Sequence, residues 1–292
     1  LRSELILSIA SGKGGTGKTT VACSLAAVFE SSVYIDCDVE EPNGHILLHP
    51  KFHEEIPSVK MLPVIDFSKC TICCKCLQVC EFNALIKMGS DIFLIDELCH
   101  GCGACAYFCP ENAISEKGKI IGFVREGISE VNKIEFYDGL LNVGEASASP
   151  LIKEVKKKIQ TDKLNIIDSP PGTSCSMVEA VRDSDYCILV TESNPFGLHD
   201  LELAVEVLNI LNIPFGVMIN KYDESYTDLE DYLNTEQINI LMKIPFDKEI
   251  AKDYSNGKIP VLFLTDLKEE FRNIVKKITA FIAAEKSNIT IH

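Results

Sequence analysis

The sequence predicts an α/β protein: a doubly wound, mainly parallel sheet with a small α+β unit inserted into it. Three observations predict it. Short apolar runs alternate with helical stretches along most of the 292 residues, the pattern of strands joined by helical crossovers. The runs end in glycine-rich or acidic turns, as strands do where an open sheet gathers its functional loops along one edge. From Asp66 to about Lys119 the alternation stops, and most of the 13 cysteines appear there. The expected organisation is residues 1–65 and 120–292 as two parts of one domain, with 66–119 inserted between them.

Composition narrows the setting. Hydrophobic content of 46% and charged content of 24% are those of a globular chain. A net charge of −15 argues against a general binder of phosphate backbones, so nucleic acid is not an expected partner. No apolar run reaches the roughly 18 residues of a membrane span, and the N-terminus has no signal-peptide pattern. The expected location is cytoplasmic, with no membrane partner. Because the chain opens on Leu1, its native initiator is expected upstream. Disulfides rarely persist in such a compartment, so the cysteines are expected to bind metal.

The apolar run Leu5–Ala10 reads as a buried strand and Val21–Phe29 as a helix. Between them lies Ser11-Gly-Lys-Gly-Gly-Thr-Gly-Lys-Thr-Thr20, a P-loop in the strand–loop–helix setting that the motif requires. Gly12, Gly14, Gly15 and Gly17, with Thr16 and Thr20, let the backbone wrap a polyphosphate. Lys18 would reach the β- and γ-phosphates, and the Thr19 hydroxyl would ligate magnesium. The next strand, Val33–Asp36, ends in Asp36-Cys-Asp38-Val-Glu-Glu-Pro-Asn43, which puts carboxylates on the same edge.

Cys70-x-x-Cys73-x-x-Cys76-x-x-x-Cys80 recurs as Cys99-x-x-Cys102-x-x-Cys105-x-x-x-Cys109-Pro110. That is bacterial ferredoxin spacing, twice. Three cysteines at steps of three wrap one cuboidal cluster, and the fourth, remote one serves the other. Cys70, Cys73, Cys76 and Cys109 are assigned to one 4Fe–4S centre, and Cys99, Cys102, Cys105 and Cys80 to a second. Zinc is the competing reading, but zinc sites pair two C-x-x-C knuckles rather than tripling the step. Glu81 stands where a proline is usual and would lower one cluster's potential; Cys74 is read as a spare thiol. Glu81-Phe-Asn-Ala84-Leu and Glu111-Asn-Ala113-Ile are near-repeats, as an internal two-fold requires.

Beyond the insert, Lys119–Val124 and Lys133–Tyr137 read as a hairpin pair and Leu151–Ile159 as a basic amphipathic helix. The strand Leu164–Ile167 leads into Asp168-Ser-Pro-Pro-Gly172. Tyr186–Val190 and Phe215–Ile219 are further strands, the second ending in Asn220-Lys-Tyr-Asp223. His199 is read as a cap-region residue rather than a catalyst. The last helix opens with Asp266-x-x-Glu269, in the manner of a capping box. It carries Leu267, Phe271, Ile274, Val275, Ile278, Phe281 and Ile282 on one face, which is expected to pack on the sheet.

Gly-Lys13-Gly-Gly-Thr-Gly-Lys18-Thr resembles the deviant P-loop of the MinD/ParA/nitrogenase iron-protein superfamily, and the resemblance extends over nearly the whole chain, with a two-cluster ferredoxin domain inserted. It implies that Lys13 reaches the nucleotide of a partner subunit, in a nucleotide-dependent homodimer. It implies that Asp38 positions or deprotonates the attacking water and that Asp36 supports the magnesium shell. Asp168 would hold magnesium through water, and Gly172 would sense the γ-phosphate. The catalytic set so implied is Lys13, Lys18 and Asp38. Asn220 and the segment of Pro245 would contact adenine. Asn-Lys-x-Asp is also the guanine motif of GTPases; ATP is preferred to GTP because the deviant P-loop is the more specific signal. Cys175 lies at the offset from Asp168 where the nitrogenase iron protein has a cluster ligand, and is read as a thiol near the switch rather than a bridging ligand.

Three functions remain open on this reading. ATP binding and hydrolysis could gate electron flow through the two clusters to a redox partner. The protein could assemble or carry iron–sulfur clusters, although carriers of this superfamily use a C-x-x-C near the C-terminus and none follows Cys109 here. Or it could be a non-catalytic nucleotide or redox switch in a partner complex.

Overall fold

A computed structural model describes residues 5–289. Strand β1 (Leu5–Ala10) passes through the glycine loop into helix α1 (Lys18–Val28). Ten of the eleven residues of α1 are buried, as its nearly unbroken apolar sequence requires. The chain continues through β2 (Val33–Asp36), a short α2 (Gly44–Leu48) and the 16-residue β3 (Pro50–Ile65). The cysteine-rich unit follows: α3 (Lys75–Gln78), β4 (Leu85–Met88), β5 (Asp91–Leu94) and α4 (Ala104–Tyr107). The chain returns along β6 (Ile114–Ser129), then β7 (Glu135–Leu141), α5 (Ser149–Lys156), β8 (Leu164–Asp168), α6 (Cys175–Val181) and β9 (Tyr186–Glu192). The remainder is α7 (Pro195–Leu211), β10 (Phe215–Tyr222), α8 (Asp228–Thr235), β11 (Ile240–Pro245), α9 (Lys248–Ser255) and α10 (Thr265–Ile289).

One nine-stranded sheet runs β11-β10-β9-β1-β8-β2-β7-β6-β3. The strands from β11 to β7 are parallel, and β6 and β3 are antiparallel. Strand β1 lies between β8 and β9, so the carboxyl ends of the central strands flank the glycine loop. Side chains alternate across the sheet. Leu7 and Ile9 join the core under α1 and α10, whereas Ala10 joins that of α6, α7 and α8. A third core packs α5 on β2 and β7. Helices therefore cover both faces, which is why these strands read as unbroken apolar runs.

The hairpin expected after the insert is present as β6 and β7, but β6 also pairs with β3 along almost all its length. This two-stranded ribbon carries the cysteine-rich unit at its far end. The unit has an internal two-fold. Ile65 pairs with Ile114 as Leu85 does with Leu94. Asp66 N–H donates to the Ala113 carbonyl at 2.7 Å, and Ile95 N–H to that of Ala84 at 2.8 Å. Ile72 and Gly101, Cys74 and Gly103, and Asn83 and Asn112 occupy matching positions with positive φ.

Helix α10 corrects one sequence expectation. It begins at Thr265, so Asp266 lies inside it rather than at its cap, and Glu269 pairs with Arg272 instead of the helix start. Its apolar face packs on the sheet as expected, with Phe271, Ile274, Val275, Ile278 and Ile282 buried; Phe281 is half exposed at the edge. Among the described residues no helix is long and apolar enough to cross a membrane.

Candidate functional site

Glycine builds the loop between β1 and α1. Gly15 and Gly17 take φ of 80° and 90°, left-handed values that a side chain would strain. Gly12 lies so close to α7 that a Cβ would fall 2.0 Å from the Asp200 carbonyl oxygen. Ser11 Oγ donates to the Lys13 carbonyl at 2.7 Å, and Asn220 Nδ2 donates to that of Thr16 at 2.8 Å. The loop so braced delivers the N-terminus of α1, whose first N–H groups lack helical partners and favour an anion.

Beside the loop, Asp138, Asp36 and Asp168 stand abreast on β7, β2 and β8, all fully buried. Arg125 grips Asp138 with two bonds of 2.9 and 2.6 Å. Asp168 accepts Lys18 Nζ at 2.7 Å and the Tyr34 hydroxyl at 2.8 Å. Asp36 accepts the backbone N–H groups of Asp38 at 3.1 Å and Gly44 at 3.0 Å. Burial, reinforced by the charge of Asp168, pushes the Asp36 carboxyl well above the usual range. Burial pushes Asp38 up to about 6, with Lys18 opposing and Asp168 adding. Burial also works against the Lys18 ammonium, but Asp168, Asp36 and Asp38 outweigh it and hold its pKa above the ordinary lysine value.

Above these groups opens a cavity of about 490 Å³. Lys13, Gly14, Gly15, Gly17, Lys18, Thr19, Thr20 and Asp38 line it; so do Ile244, Pro245, Phe246, Pro260, Leu267 and Phe271, with Asn220 and Lys221. With the lysines and N–H groups of the P-loop and the apolar residues of β11 and α10 in its wall, it suits a polyphosphate attached to a flat ring. Gly12, Thr16, Asp36 and Asp168 sit behind this surface rather than on it. Pro171 lines the cavity, and the neighbouring Gly172 N–H donates to the Ser11 carbonyl at 2.9 Å. Asp223 is not among the lining residues; its carboxylate accepts from the N–H and hydroxyl of Ser225. His199 is exposed on α7, away from the cavity lining.

Sequence reasoning missed two members. Tyr34 reads as an ordinary strand residue and gives no signal of its contact with Asp168. Glu192 pairs with Lys221 at 2.6 Å and Lys13 at 3.8 Å; its place at the end of β9 on the functional edge was the available clue.

The eight motif cysteines divide four and four. Cys70, Cys73, Cys76 and Cys109 line one cavity, and Cys80, Cys99, Cys102 and Cys105 line another. Backbone N–H groups of Ala84, Gly101 and Ala113 donate to the sulfurs of Cys80, Cys99 and Cys109 at 3.3, 3.4 and 3.3 Å. Such donors suit thiolates. Cys74 Sγ turns to the Ile72 carbonyl at 3.4 Å. Cys175, the first residue of α6, is exposed.

Among the described residues, no three His, Cys, Asp or Glu side chains converge as the ligands of a single metal ion do. Magnesium does not need such a cage, since it takes one or two carboxylates, water and phosphate oxygens, which Thr19, Asp36 and Asp168 suit. A cuboidal cluster takes its four thiolates at separate corners, so four cysteines around a cavity fit it by donor type and by N–H donors.

The profile of the CobQ/CobB/MinD/ParA nucleotide binding domain matches residues 7–261. An uncharacterised protein of Methanocaldococcus jannaschii is 29% identical, over 95% of this chain and 97% of its own length. The iron-sulfur cluster carrier protein of the same organism is 25% identical, over 95% of this chain and 85% of its own. Among solved structures, the septum site-determining protein MinD from Pyrococcus horikoshii, complexed with Mg-ADP, superposes with a TM-score of 0.55. It is 18% identical and covers 94% of this chain and 96% of its own, a likeness of fold.

Proposed function

The chain belongs to the CobQ/CobB/MinD/ParA nucleotide-binding family, and on that premise we propose that it is an ATPase that couples Mg-ATP binding, hydrolysis and dimer closure to electron transfer through two 4Fe–4S clusters. One arrangement supports the reading: a P-loop cavity and two cavities that each take four of the eight motif cysteines, on one continuous sheet and ribbon.

Each residue then has a task. The glycine loop and the N-terminus of α1 bind the phosphates, and Lys18 leaves Asp168 to meet their charge. Thr19, Asp36 and Asp168 hold magnesium, which when bound neutralises phosphate charge. Asp38 orients the attacking water and takes its proton. Lys13, held by Glu192 within one chain, crosses to the partner's nucleotide on closure. Asn220, which braces Thr16, and Pro245 face the base, and the engagement of the Asp223 carboxylate by Ser225 favours ATP over GTP. Cys70, Cys73, Cys76 and Cys109 hold one cluster, and Cys80, Cys99, Cys102 and Cys105 the other; when bound, each carries one electron. The inserted domain is residues 66–119, between the ATPase parts 1–65 and 120–292.

The test is an EPR-monitored redox titration of anaerobic protein with MgADP and with a non-hydrolysable MgATP analogue, beside an ATPase assay. A nucleotide-dependent shift of several tens of millivolts is expected, since about 59 mV is a tenfold change for a one-electron couple. Hydrolysis should fall at least about hundredfold in Lys18→Ala. Equal potentials in both nucleotide states would remove thermodynamic coupling. They would favour a second reading, cluster delivery, which the resemblance to an iron-sulfur cluster carrier protein motivates. Transfer of clusters to an apo-ferredoxin would then be the positive result.

A further inference from the structure

The ring of Tyr34 is fully buried in β2 and stacks on Phe136 of β7, with centroids 5.3 Å apart and planes 16° from parallel. A buried tyrosine hydroxyl needs a polar partner, and this one donates to Asp168 Oδ2 at 2.8 Å. The other oxygen, Oδ1, takes Lys18 Nζ at 2.7 Å. Gly44, the first residue of α2, abuts the phenol: a Cβ there would lie 2.4 Å from the hydroxyl oxygen. Gly44 N–H donates to Asp36 Oδ2, so the hydroxyl lies where the segment after Asp36 meets Asp168.

The two donors on Asp168 differ in kind. Lys18 has a flexible stem and, on the proposed reading, a competing partner in the phosphates. Tyr34 has neither freedom, because its ring is fully buried, stacked on Phe136 and abutted at its hydroxyl by Gly44. When the ammonium turns to phosphate, the buried carboxylate keeps its phenol donor and so its orientation.

We infer that Tyr34 is the positioning residue of Asp168: its hydroxyl fixes Oδ2, and with it the direction in which the carboxylate meets nucleotide-bound magnesium. The role rests on the proposed Mg-nucleotide reading of the cavity and acts through Asp168, without contact between Tyr34 and the nucleotide.

The experiment titrates the full chain with a fluorescent ADP analogue, once with magnesium and once with EDTA, and records thermal unfolding alongside. In Tyr34→Phe, which keeps the ring and removes one oxygen, the gain in affinity that magnesium gives should shrink about tenfold, the effect of one hydrogen bond to a charged group. Affinity in EDTA should stay within about twofold of the wild type. Gly44→Ala, which crowds the same hydroxyl, should show the same magnesium-specific loss, and carries the test if Tyr34→Phe does not fold. An unchanged magnesium gain in the folded variants overturns the inference, as does an equal loss with and without magnesium. A wild-type chain with no magnesium gain would instead sink the nucleotide reading itself, and is recognised before any variant is compared.

Discussion

Asp38 can take a proton from water only as a carboxylate, and burial pushes its pKa up to about 6. On the proposed reading, turnover should therefore be at its plateau above that pH and fall as pH drops through it, with half the activity left near pH 6. A pH–rate profile checks this. In Asp38→Asn that limb should disappear and the rate fall about hundredfold or more. Stability runs the other way. Between the ordinary aspartate range and pH 6 the folded chain holds a proton that the unfolded chain has lost, so ionising Asp38 as pH rises weakens the fold. The acidic turn after the β2 strand end marked Asp38 as one of several carboxylates on the functional edge, and the family resemblance singled it out. Tyr34 was not, because a phenol in an apolar strand reads as core until its partner, 134 residues away, is placed beside it.

The ribbon of β3 and β6 hides an interaction that local pattern does not reveal. Lys60 is buried on it, donating to the Asp96 carbonyl at 3.2 Å and to Glu145 Oε2 at 3.3 Å. Lys119 also meets Glu145, at 2.8 Å. Burial opposes ionisation of Glu145, but the two lysines hold its carboxyl below the usual range. Asp96 precedes the second cysteine motif and Glu145 lies in the loop before α5, so this group ties the cysteine-rich unit to the main sheet. Lys60→Met should lower stability by about 2 kcal/mol in urea unfolding. That is the cost of a charged hydrogen bond where Lys119 still partners the carboxylate. Lys60→Met with Glu145→Gln should lose less than the two single changes added together. The sequence foresaw β6 in part and gave no warning of β3. With Pro57 and Pro63 along it and a first half, Lys51–Glu55, that is charged and exposed, β3 lacks the unbroken apolar run that marks a buried strand. Prolines and charge are what an edge strand tolerates.

Across the whole molecule, the separation of nucleotide and cysteine sites makes loading measurable site by site. Anaerobically purified protein should carry about eight irons per chain if each set of four motif cysteines holds a cluster. Cys76→Ser and Cys105→Ser should each remove about half, by colorimetric iron assay and loss of one EPR signal. A wild-type content near four, or none, would contradict the two-cluster reading.

The sequence by itself determined the α/β class, the P-loop and the ferredoxin-like cysteine spacing. Each depends on residues close in the chain: apolar runs sized for a buried strand, glycines where the backbone must wrap an anion, cysteines spaced to circle a cluster. Only the tertiary structure decided which distant groups face one another. Lys18 and Asp168 are 150 residues apart and bonded, and Asn220 braces Thr16 across 204. The physical reason is that strand order, not chain order, sets neighbours in a doubly wound sheet. A buried charge or phenol acquires its partner from whichever strand the fold lays beside it.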